Sequence, residues 1–78
     1  MRRIWKGIFI EESTGVKFSK LIAIDGKSVY IKPYGEFFSL DQAFGMLEEF
    51  GYHLEKLFDE NGRDKSKIFI ESATLDVI

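Results

Sequence analysis

Apolar and polar residues alternate along the first third of the chain, and the rhythm then changes. In Arg2–Glu12, RRIWKGIFIEE, one side of an extended strand carries Ile4, Ile8 and Ile10, with Lys6 among them; the other carries Trp5, Gly7 and Phe9, beside Arg3. Val16–Ile24 repeats the alternation, and Val29–Lys32 makes a third, shorter strand. Ser13-Thr14-Gly15 predicts a three-residue hairpin loop with glycine in the left-handed position, and Asp25-Gly26 a two-residue one.

These turns imply a register. Ile4 faces Ile24, Trp5 faces Ala23, Phe9 faces Ser19 and Ile10 faces Phe18, with Glu11 opposite Lys17. On the other hairpin Ile24 faces Lys27, Ile22 faces Val29 and Leu21 faces Tyr30. One face then gathers Ile4, Ile8, Ile10, Phe18, Ile22, Ile24, Val29 and Ile31, the expected core. The opposite face gathers Arg3, Trp5, Phe9, Lys17, Leu21, Tyr30 and Lys32.

After the break at Pro33-Tyr34-Gly35 the period lengthens. Ser39 with Gln42 forms a capping-box signature. Leu40, Ala43, Phe44, Leu47, Phe50, Leu54, Leu57 and Phe58 follow at spacings of three and four, an amphipathic helical stripe running to Asn61-Gly62. The alternative is a helix stop at Gly51, which makes Tyr52–Phe58 a further strand. Lys67–Ser72 reads as another strand, and Ala73–Ile78 as an apolar tail. The expected fold class is α+β: an antiparallel three- to four-stranded sheet on one amphipathic helix, in the order βββαβ, within a single domain spanning residues 1–78.

Composition narrows the function classes. The chain has 78 residues, 45% of them hydrophobic, and no cysteine. No disulfide framework is available, and no apolar run has the length of a membrane span or of a signal peptide's core, so a cytoplasmic location is expected. The net charge of −2 argues against a general nucleic-acid binder. The charge is unevenly spread: residues 1–35 hold seven bases against three acids, and residues 36–60 one base against seven acids.

Catalytic chemistry finds little support. His53 is the only histidine, and no nucleophile or acid flanks it at a defined spacing. Asp59-Glu60-Asn61-Gly62-Arg63-Asp64 has the residue types of a calcium loop but places its glycine at the wrong position. Without cysteine, and with one histidine, no zinc site is expected, and no cofactor is implied. What stands out is the sheet face opposite the isoleucines. Its anchors are Trp5, Phe9, Leu21 and Tyr30, flanked by Arg3, Lys17 and Lys32, and these residue types are enriched at protein interfaces. A second interface is expected on the acidic helix, at Asp41, Glu48, Glu49 and Glu55. The expected function is therefore a non-enzymatic protein-interaction module, an adaptor, inhibitor or self-associating protein, with a homodimer as the simplest partner arrangement. The alternative is single-stranded nucleic-acid binding, with bases stacked on the same aromatics.

Overall fold

A computed structural model describes residues 2–67. The strand expected at Lys67–Ser72, apart from Lys67 itself, and the tail Ala73–Ile78 lie outside the described residues. The chain forms β1 (Arg2–Glu11), β2 (Lys17–Asp25), β3 (Ser28–Ile31), β4 (Gly35–Phe37), α1 (Leu40–Glu49) and β5 (Tyr52–Phe58). The five strands make one antiparallel sheet in the order β4-β3-β2-β1-β5. The helix packs on one side of it, against β3, β4 and β5. The expected α+β architecture holds, with β4 and β5 as the added strands.

Strand β1 presents the opposite face to the one expected. Its partners on β2 are Ala23 for Ile4, Ile22 for Trp5 and Phe18 for Phe9, one residue away from the expected register. The cause lies in the turn. Glu11 N donates to Val16 O at 2.9 Å, and Gly15 N donates to Glu11 O at 2.7 Å, so four residues, Glu12–Gly15, form the loop rather than three. The Glu11 carboxylate fastens it by accepting from Ser13 Oγ and Thr14 Oγ1. A slip of one residue exchanges the two faces of a strand. Trp5 and Phe9 therefore enter the core, and Ile4, Ile8 and Ile10 turn outward. The expected Glu11–Lys17 pair is also lost.

The second turn slips without that consequence. Asp25 pairs with Ser28 and Ile24 with Val29, leaving Gly26-Lys27 as the two-residue loop. Gly26 takes φ +62, which a hairpin turn of this length requires at its first position. Each strand shifts by one residue, so parity is kept and Ile22, Ile24, Val29 and Ile31 remain on one face. The core unites Trp5, Phe9, Ile22, Ile24, Val29 and Ile31 with Ala43, Phe44 and Leu47 of α1 and Leu54 and Leu57 of β5.

The helix begins as its sequence suggests. Gln42 N donates to Ser39 Oγ at 3.1 Å, and Gln42 Oε1 accepts from Phe38 N at 2.6 Å. It ends at Phe50, because Gly51 takes φ +90 and its N–H donates to Glu48 O. The continuous helix to Phe58 is therefore replaced by its alternative, a strand over Tyr52–Phe58. Leu54 and Leu57 are three apart, as on a helix, yet both face the core. The register along β1 jumps between Ile8, opposite Lys56, and Phe9, opposite Leu54. Glu55 is the extra residue of a β-bulge, and the bulge brings two positions of unlike parity to one face.

Candidate functional site

The face of the sheet away from α1 is built in rows that the registers define. Ile4, Ala23, Tyr30 and Glu36 cross it from β1 to β4. Phe58, Lys6 and Leu21 form the next row, then Lys56, Ile8 and Ser19, then His53, Ile10 and Lys17. Leu21 is 67% exposed, Ile4 46% and Tyr30 39%. Ile8 and Ile10 are half-buried. Lys17 on β2 and Glu55 on β5 stand on either side of β1, and their 2.9 Å ion pair bridges it. The other oxygen of the same carboxylate, Glu55 Oε2, is buried and has no hydrogen-bond partner among the described residues. The result is an apolar patch of Ile4, Ile8, Ile10, Leu21, Tyr30 and Phe58 with Lys6 at its centre, edged by Arg2, Lys17 and Lys56.

The expected interface residues divide between the two faces. Leu21, Tyr30 and Lys17 lie on the outer face, and Lys32 is exposed just beyond the end of β3. Trp5 and Phe9 do not join them: they are 9% and 1% exposed, inside the core, because of the one-residue slip. Arg3 sits on their side, with its guanidinium carbon 5.8 Å from the centroid of the Trp5 ring. Trp5 Nε1 donates to Glu60 Oε1 at 3.1 Å, and Arg3 Nε is 3.9 Å from Glu60 Oε2. The expected acidic surface divides as well. Asp41 is in the first turn of α1 and Glu48 and Glu49 in its last, whereas Glu55 belongs to β5. The outer isoleucines were missed as site residues, and the only signal for them was that β1 is apolar on both sides.

Each end of the helix adjoins a concavity. At the N-terminal end, a space of about 270 Å³ is lined by Arg3, Trp5, Gly26, Lys27, Ser39 and Asp41 among others. Its charges are mixed, and the Ser39 cap already takes up a helix-terminal N–H. At the C-terminal end, a wider space of about 620 Å³ is lined by Glu11, Glu12, Ser13, Phe50, Gly51 and Tyr52. Tyr34 stacks on Phe50 behind it, with ring centroids 5.9 Å apart. Burial raises the Tyr34 phenol above its usual pKa, and the hydrogen bond to Tyr52 and the charge of Glu11 act in the same direction.

His53 Nδ1 lies 2.6 Å from Glu48 Oε1 on the surface. Glu12 completes a group whose donor atoms all fall within 4.8 Å of one another, the residues among those described that could hold a metal ion. All three are exposed. The stretch that resembled a calcium loop makes a closed turn instead. Asp59 Oδ1 accepts from Asn61 N and Arg63 N, both at 2.9 Å. Those bonds, the one from Arg63 first, hold the Asp59 carboxyl below its usual pKa, and nearby Lys65 adds to the effect. Asp64 is lowered likewise, by hydrogen bonds from Ser66.

No protein-family model matches the chain, and no curated protein or solved structure matches it significantly. Among the described residues, no helix is long and apolar enough to cross a membrane.

Proposed function

We propose that this protein is a non-enzymatic protein-interaction module whose recognition surface is the outer face of the sheet. One observation carries the reading: Leu21 and Ile4, two large aliphatic side chains, stand exposed in adjacent rows of a face that α1 does not cover. Exposed apolar side chains grouped on one face, with basic residues among and around them, are the usual character of a protein contact area. The nucleic-acid alternative is weakened, because two of its three stacking rings, Trp5 and Phe9, are enclosed in the core.

Self-association through this face is the simplest form of the function. Sedimentation equilibrium from micromolar to millimolar protein is expected to show mass rising with concentration. Leu21→Glu is expected to abolish the rise while circular dichroism and thermal midpoint stay unchanged. A heterologous partner would instead be retained from native lysate by the immobilised wild type and not by Leu21→Glu. A monomer at every concentration, together with identical retention by the two proteins, overturns the reading.

A further inference from the structure

The β1–β2 turn, the end of α1 and the start of β5 enclose a surface separate from the outer face. We propose that the acidic, aromatic-walled concavity there binds the ammonium group of a lysine side chain on a partner peptide. Glu11, Glu12, Phe50 and Tyr52 line its 620 Å³, and no lysine or arginine does. Phe50 is 53% exposed yet is not loose. Its ring stacks on Tyr34, Tyr34 lies 6.1 Å from Tyr52, and Tyr52 meets Phe18 edge-on at 5.3 Å. The walls are thus braced back to the core and need little ordering when a ligand arrives. Ring faces attract cations, and an alkylammonium gains from the rings through its methylenes as well as its charge.

The surrounding charges favour the same ligand. Glu48 and Glu49 close the helix at the negative end of its dipole, and no basic residue stands in that turn. Acids placed there work against the helix, a local disadvantage of the kind found at binding sites. A cation bound there interacts favourably both with the acids and with the negative end of the dipole. Glu12 N donates to Gly51 O at 2.9 Å, tying the turn that carries the acids to the helix end that carries the ring. The seven acids of residues 36–60, against a single base, extend the negative field beyond the site and steer a basic peptide toward it. The adjoining Glu12, Glu48 and His53 would suit a metal ion, but a metal would gain nothing from Phe50 and Tyr52.

The test is an amide NMR titration of the full chain with five probes: a glycine pentapeptide with a central lysine, its norleucine counterpart, tetramethylammonium chloride, zinc chloride, and sodium chloride at matched ionic strength. The lysine peptide is expected to give saturable shifts at Glu12, Gly51 and Tyr52, and the norleucine peptide none. Phe50→Ala and Glu12→Gln, both at exposed positions, are each expected to weaken binding about tenfold, a loss of about 1.4 kcal/mol. Shifts that merely follow sodium chloride, or that persist unchanged in both variants, overturn the proposal. Tighter binding of tetramethylammonium than of the lysine peptide overturns the peptide as its source. A response to Zn²⁺ alone, centred on His53, overturns the ligand class. Because Leu21 is remote from these probes, each result is independent of the outer-face reading.

Discussion

The Phe9 ring folds back along β1 onto Gly7. A Cβ at Gly7 would lie 2.8 Å from Phe9 Cε2 and 3.2 Å from Ile22 Cδ1, both in the closed core. Neither can move without disturbing its neighbours, so Gly7→Ala is expected to destabilise by about 1–3 kcal/mol in urea unfolding, the usual cost of overpacking. Trp5 fills the same layer. Its truncation to alanine is expected to cost about 3–5 kcal/mol, whereas Trp5→Phe removes chiefly the bond to Glu60 and about 1 kcal/mol. Asp59 gives the turn after β5 an acid dependence. Its pKa is lowered in the folded protein, so its contribution is complete above the unfolded value of about 3.9 and is lost as pH falls through the folded one. The urea midpoint of Asp59→Asn is accordingly expected to fall less steeply than that of the wild type as pH drops below about 4.

At the level of elements, legibility depended on how local the deciding interaction was. The start of α1 was readable because Ser39 and Gln42 act within four residues of one another. Ile22, Ile24, Val29 and Ile31 were placed correctly despite a misplaced loop, since parity survived the shift. β5 has the sequence pattern of a helix because a bulge at Glu55 gives a strand three-residue spacing, and bulges are fixed by the partner strand rather than by the bulged segment. Gly51 signals a helix stop, but the favourable helix propensities beyond it point the other way. With φ at +90, Gly51→Ala forces a side chain into the left-handed region, and a destabilisation of about 1–2 kcal/mol is expected by chemical denaturation. The candidate site was the least legible part, because membership of a face is decided by register, and register by a single residue of loop length.

For the whole molecule, the indole and the outer aliphatic patch lie on opposite sides of one sheet. Trp5 emission is therefore expected to be that of a buried ring at every protein concentration, even where sedimentation shows association. A red-shifted emission on dilution would mean that the contact surface reaches the helix side instead. The two charged regions are similarly apart, with Lys6, Lys17 and Lys56 on the outer face and Glu11, Glu12, Glu48 and Glu49 around the helix C-terminus.

The four-residue turn Glu12–Gly15 has a consequence for heredity. Exposed loops ordinarily tolerate insertions and deletions, since closing a slightly different loop changes the entropy little. Here β1 is apolar on both sides, so a single lost codon in the turn would leave a strand that is still hydrophobic where it faces the helix, but with isoleucines in place of Trp5 and Phe9. Substituting Ser13 and Thr14 together by alanine is expected to leave the Trp5 emission of a buried indole, whereas deleting either one is expected to expose it. What descent must preserve in this turn is its length, more than the identity of any residue except Gly15.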